Sequence, residues 1–252
     1  MNESSDIELS TRAVIEAAGK GYRELNIEIK NLVAVGVTEV DIHDVNGQRY
    51  IGAGLRGDVI LRLHGTAGND MAAFMDGPLI EVHGNSQDGA GNTMNAGTII
   101  VHGSAGDVLG YAMRSGNIYV RNDVGYRVGI HMKSYIDKNP VIVVGGTAKD
   151  FLGEYMAGGT ITLLNLENRQ IGRFIGTGMH GGSIYIRGEL DEGKVSPEVN
   201  YEIVDNDQIS EIKECIKNFC SFFGASYSKI IKSKFVVLKP TSSRPYGKVY
   251  AH

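Results

Sequence analysis

Six of the chain's eight methionines fall on a regular beat. They are Met75, Met94, Met113, Met132, Met156 and Met179, and their spacings are 19, 19, 19, 24 and 23. Glycine keeps the same beat. Gly106-x-x-x-Gly110-x-x-Met113-x-x-Gly116 returns as Gly172-x-x-x-Gly176-x-x-Met179-x-x-Gly182. Shorter copies are Gly91-x-x-Met94-x-x-Gly97 and Gly153-x-x-Met156-x-x-Gly159. The frame weakens around Met75, where Ala72 replaces the earlier glycine and Gly77 falls one position early, and after Met132, where Tyr135 stands in the last glycine's place. Each block is followed by a short, β-branched-rich apolar run: Val59–Leu63, Leu79–Val82, Ile99–Val101, Ile118–Val120, Val141–Val144, Ile161–Leu164 and Ile184–Ile186. Such runs are too short for buried helices and read as strands.

So short a period excludes most repeat architectures. Helical repeats need about 33 residues or more and a propeller blade about 40. A leucine-rich repeat fits the length, but its L-x-x-L-x-L frame is missing. A nineteen-residue unit at about 3.3 Å per residue closes a coil roughly 60 Å around, with strands about 4.8 Å above one another. The expected fold is an all-β core, a single-stranded parallel β-helix of about seven rungs. Equivalent side chains then stack in ladders. Methionine, unbranched and adaptable, suits the irregular bore. Glycine suits the turns between faces. The chain has 34 glycines and only 5 prolines, which favours ordered turns over a disordered tract. The surplus residues at Ser134–Pro140 and near Asn165–Gln170 should bulge outward as loops. A degenerate first rung is expected at Glu39–Gly57.

The flanks differ in kind, and α-helical segments are expected at both ends. Residues 1–37 read as an N-terminal helical cap, with one helix over Arg12–Ala18 and a second over Arg23–Val33 that stops at Gly36. The β-helix spans 38–190. Residues 191–252 read as a helical segment and an extended tail. Ile209, Ile212, Ile216, Phe219, Phe222 and Phe223 have helical spacing after Asp207, Gly224 marks the stop, and Phe235–Leu238 is strand-like. A solenoid's end rungs need covering, and these flanks are the expected caps.

Composition removes several function classes. Lys+Arg 25 against Asp+Glu 29 gives a net charge of −4, which argues against a phosphate-driven nucleic-acid binder. Cys215 and Cys220 are the only cysteines, too few for a disulfide scaffold, a zinc ribbon or an iron–sulfur ligand set. They read as packing residues. The polar, acidic N-terminus is not a signal peptide and no apolar run spans a bilayer, so the expected location is cytoplasmic.

Candidate sites are few. His64, His83 and His102 are spaced 19 and 19, with Arg121 in the next place. Three imidazoles suggest a metal site. The competing reading is a ladder whose rings point in parallel and do not converge, with no carboxylate or cysteine in register to complete the set. Protonation should make such a ladder repel itself. Asp88, Asp107 and Asp150 share one register, resembling the acid pairs of polysaccharide-cleaving β-helices; the plainer reading is turn bonding beside glycine. The strings Gly52-Ala53-Gly54-Leu55-Arg56-Gly57 and Gly176-Thr177-Gly178-Met179-His180-Gly181 precede strands, whereas a dinucleotide site needs a helix N-terminus. They are repeat glycines. No catalytic or cofactor-binding residue is assigned; Gly110, Gly116, Gly153, Gly159, Gly176 and Gly182 are structural, with the six methionines.

The repeat resembles the GXGXG domain at the C-terminal end of the glutamate synthase large subunit. Gly153-Glu154-Tyr155-Met156-Ala157-Gly158-Gly159-Thr160 and Gly176-Thr177-Gly178-Met179-His180-Gly181-Gly182 are similar to the family's E-Y-M-T-G-G and G-M-S-G-G blocks, and Gly65-Thr66-Ala67-Gly68 to its G-x-A-G turn. The likeness covers Thr38 to Gly188. Arg23-Glu24-Leu25-Asn26 and Arg244-Pro245-Tyr246-Gly247 resemble the free-standing archaeal-type version. The same repeat builds one of the subunits of formylmethanofuran dehydrogenase. The resemblance implies a right-handed parallel β-helix and a non-catalytic subunit of an oxidoreductase of glutamate biosynthesis and nitrogen metabolism. It implies no cofactor in this chain, with FMN and Fe–S on partner subunits. The implied partners are an FMN-binding synthase chain and a glutaminase chain, with self-association through coil faces or ends as a further option. The chain opens on Met1, where a glutaminase would need an N-terminal cysteine. Alternatives are a scaffold of a formylmethanofuran dehydrogenase-type complex and a carbohydrate-active β-helix.

Overall fold

The computed structural model describes residues 11–244. The N-terminal stretch before Thr11 and the tail from Pro245 onward, with most of the Arg-Pro-Tyr-Gly string, lie outside the described residues. In chain order the elements are β1 (Arg12–Glu16), α1 (Tyr22–Ala34), β2 (Glu39–Asn46), β3 (Ile60–Thr66), β4 (Asp76–His83), β5 (Ala96–Val101), β6 (Asn117–Val120), β7 (Val141–Val144), β8 (Ala157–Leu163), β9 (Gly181–Arg187), β10 (Val199–Val204), α2 (Lys213–Phe223), α3 (Tyr227–Ile230) and β11 (Phe235–Pro240). These strands form one sheet in the order β1 to β9, then β11, then β10. The pairs from β1 to β9 are parallel, and each strand lies on the equivalent strand of the next turn. The fold is a parallel β-helix of about seven turns.

Register shows the period directly. Ile80 pairs with Ile99 and Ile99 with Ile118, each a step of 19. Ile118 pairs with Ile142, a step of 24, and Ile161 with Ile184, a step of 23. The longer first step holds the turn around Tyr135 and Ile136, which stand 69% and 86% exposed as an outward bulge.

Strand alternation sends every second side chain into the bore. The inward columns Val40–Leu61–Ile80–Ile99–Ile118–Ile142–Ile161–Ile184 and Ile42–Leu63–Val82–Val101–Val120–Val144–Leu163–Ile186 are fully buried. The six repeat methionines line another wall, none more than 2% exposed. Each such side chain contributes about 1.5–3 kcal/mol by leaving water. After Met113, Met156 and Met179 the following glycine makes room for the methionine one turn earlier. At Gly116 (φ +86°) a Cβ would lie 2.5 Å from Met94 Cε, and at Gly182 (φ +80°) 2.5 Å from Met156 Cε.

The ends depart from expectation in three ways. Arg12–Ala18 is not a helix. Its β-branched centre, Val14 and Ile15, adds the strand β1 to β2, and this pairing outweighs local helix preference. Among the described residues of this flank only α1 is helical, and its buried Leu25 and Ile29 join the bore's core. At the far end, Phe235–Leu238 lies antiparallel on β9, and β10, an element not foreseen, pairs antiparallel with it, so the last turn is closed by a strand rather than a helix. Third, α2 lies along the side of the coil. Two single 3-10 turns, Asn206–Gln208 and Ser210–Ile212, precede it, and Gly224 ends it in the left-handed conformation (φ +69°). Its Ile216 and Phe219, with Ile212 before it, form a second core with the outward residues Ile100, Tyr119, Val143 and Tyr185.

Candidate functional site

Beside the part of the coil that α2 covers, the outer face of β2–β4 carries charged and imidazole side chains. On β2 the alternation places Glu39, Asp41 and His43 outward; on β3, Arg62 and His64; on β4, Glu81 and His83. Rung stacking turns these into columns. The imidazoles of His43, His64, His83 and His102 stack nearly parallel, with centroids 4.5, 4.9 and 4.9 Å apart. The column ends edge-on against Phe223 of α2, 5.3 Å from His102. His43 escapes the regular spacing because the step from Val40 on β2 to Leu61 on β3 is 21, with a bulge at Asp44 (φ +56°), so a search at 19 passes it by.

The three predicted histidines therefore do stack in parallel. The expectation that no carboxylate joins them is corrected. Glu81, two residues before His83 and hence on the same face, places Oε1 2.8 Å from His102 Nε2 and Oε2 3.8 Å from His83 Nε2. Asp41 Oδ1 stands 3.7 Å from His64 Nε2. Donors of Glu81, His83 and His102 all lie within 4.8 Å of one another. The signal is present in the sequence: E-x-H is a same-face pair in any strand. Between the acids, Arg62 turns toward Glu39 at 2.9 Å and Asp41 at 3.8 Å. Hydrogen bonds from Arg62 and Arg12 hold the Glu39 carboxyl below its ordinary range. Burial pushes His83 below the usual imidazole value; Glu81 opposes this, while the charges of His102, His64 and Arg62 reinforce it.

The aspartates are not a paired-acid cleft. Asp88 Oδ1 accepts the Asp107 N–H at 2.8 Å, Asp107 Oδ1 accepts that of Tyr126 at 2.8 Å, and Asp150 Oδ1 accepts that of Arg173 at 2.8 Å. Each carboxylate braces the backbone of the following turn. This is a bond between rungs, where a local turn bond was expected. Both glycine strings lead into strands, β3 and β9, with no helix N-terminus at which a pyrophosphate would sit.

A surface not foreseen lies at the coil's corner. His131 stacks on Tyr155 at 5.2 Å and Phe151 on Phe174 at 5.0 Å. Arg127 lies over Phe151 and pairs with Glu154 at 2.5 Å, and Arg173 lies over Phe174. Five of these residues stand one or five places before a repeat methionine: His131 and Arg127 before Met132, Tyr155 and Phe151 before Met156, and Phe174 before Met179. That spacing is the signal the sequence carries for them.

Taken together, the glycine–methionine corners and parallel rungs define a β-helix of the GXGXG type. The GXGXG motif family matches residues 6–242, and the chain belongs to that family. It is also similar to an uncharacterized protein of Methanocaldococcus jannaschii, 44% identical over 249 residues that cover 94% of this chain and 95% of that protein. Among the described residues, no helix is long and apolar enough to cross a membrane.

Proposed function

We propose that this chain is a non-catalytic structural subunit of a multi-chain glutamate synthase, which moves the amide nitrogen of glutamine to 2-oxoglutarate and reduces the product to glutamate. The observation that carries the reading is the family match along nearly the whole chain, in a family associated with glutamate synthase-type proteins. The use of side chains agrees with it. The repeated methionines fill the bore, and the three repeated aspartates brace backbone. In this reading FMN and the iron–sulfur centre belong to a separate synthase chain, and the glutaminase to a third. The complex works in the cytoplasm, where Cys215 and Cys220 stay as thiols.

The test is a pull-down of the tagged chain from lysate of its own source, with co-eluting proteins identified by mass spectrometry. Recovery of a flavin-binding synthase chain together with a glutaminase chain is expected. Recovery of a subunit carrying a tungsten or molybdenum pterin overturns the assignment and moves the chain to a formylmethanofuran dehydrogenase-type complex. Stoichiometric FMN binding or turnover by the isolated chain overturns the non-catalytic reading.

A further inference from the structure

The geometry points to a first-row divalent metal site on the outer face of the coil, formed by Glu81, His83 and His102. This inference is independent of the scaffold reading. Two imidazole nitrogens and a carboxylate oxygen are the donors that zinc, cobalt and nickel select, whereas magnesium and calcium prefer all-oxygen sets. All three donors project from one face within 4.8 Å of one another. They come from two adjacent rungs whose spacing the sheet fixes.

A tetrahedral ion with bonds of about 2.0–2.2 Å sets its donors roughly 3.4 Å apart. Glu81 reaches the two rings with different oxygens, Oε1 at 2.8 Å from His102 Nε2 and Oε2 at 3.8 Å from His83 Nε2, so a small turn of the carboxylate brings one oxygen near that distance from both. The two rings must also tilt toward each other, from parallel stacking at 4.9 Å. They have room to do so, because these side chains remain 25–37% exposed on the solvent side. Solvent supplies the remaining coordination positions.

Arg62, directly beside Glu81 on the neighbouring strand, is turned away to Glu39 and Asp41 of the preceding rung. Glu81 pairs instead with the two histidines. His43 and His64 extend the stack toward β2, where Asp41 is the partner carboxylate, so the triad is a distinct group within the column.

The experiment uses the untagged full chain, stripped with a chelator and titrated with Co²⁺ while its visible d–d absorption is followed. The expected result is one Co²⁺ per chain, displaced by Zn²⁺, with binding weakened at least tenfold in Glu81→Gln and in His102→Ala. His43→Ala, at the far end of the stack, should bind as the parent does. Thermal melts of each variant establish that it is folded, and Zn²⁺ should raise the melting temperature of the parent but not of Glu81→Gln. No saturable Co²⁺ signal at tenfold molar excess overturns the proposal. So does equal binding by the parent, Glu81→Gln and His102→Ala.

Discussion

The thioether methyl of Met94 occupies the space that Gly116, one rung later, leaves by having no side chain. A Cβ at Gly116 would meet Met94 Cε at 2.5 Å and Gly97 O at 2.6 Å, on a backbone with φ +86°. Gly116→Ala should therefore destabilise by about 2 kcal/mol or more, from strain and overpacking together. Chemical denaturation checks this. Gly54→Ala is the control, because its Cβ would meet nothing within 4 Å although its φ is also positive, +66°. It should cost markedly less.

Met113 is fully buried in the bore. Met113→Leu conserves volume and should cost less than about 1.5 kcal/mol. Met113→Asp places a carboxylate among apolar side chains with no partner and should cost several-fold more, or prevent folding. Thermal unfolding of the two variants side by side separates shape from charge. Equal melting temperatures would mean that position 113 faces solvent.

Stability of the chelator-treated chain should fall as the solution is acidified below about pH 6.5. His83 sits between two other imidazoles, and burial depresses its proton affinity below the ordinary 6.5. In the window between its folded and unfolded values the unfolded chain binds more protons, so stability rises with pH there. The contribution is complete above 6.5 and is lost progressively as pH drops toward the folded value. Melting temperatures between pH 7.5 and 5.5 test this, with His83→Asn expected to flatten the slope.

Cys215 should be nearly inert in the folded protein. Cys215 belongs to α2, and burial against the second core pushes its thiol up to about 11, despite the opposing hydrogen bond with Thr162. At pH 8 only about one molecule in a thousand carries the thiolate. Alkylation by iodoacetamide should then run at least roughly a hundredfold slower than in denaturant, read by mass spectrometry of the peptide carrying Cys215.

Much of this architecture is readable from residue spacing. Met75 to Met179 mark the period, and the apolar runs mark seven strands in register, because a coil repeats its environment at every turn. The failures fall where repetition ends. Val14 and Ile15 form a strand because β2 is beside them, which no local preference discloses. Val199–Val204 becomes a strand by pairing with the distant Phe235–Pro240. The lateral position of α2 does leave a trace: outward positions change from Asp41, Arg62 and Glu81 to Ile100, Tyr119 and Val143 where the helix lies. At the candidate site, three histidines are legible at an interval of 19. His43 is hidden by a longer turn. Glu81 is hidden because it belongs to no repeated acidic column, and only its place two before His83 gives it away.

A bare solenoid melts like a stack of coins, each turn held only by the two beside it. The helix α2 changes that arithmetic for half of the molecule. Its apolar stripe shares one core with Ile100, Tyr119, Val143, Leu164 and Tyr185, residues drawn from five successive turns. Those turns cannot loosen singly without uncovering the same stripe, so they should open together. The turns of β2 and β3, with charged outer faces, share no residue with that second core and should peel away in order from the β1 end. Native-state amide exchange would then show one shared opening energy across β5–β9 and a staircase across β2 and β3, two modes of unfolding in one continuous sheet.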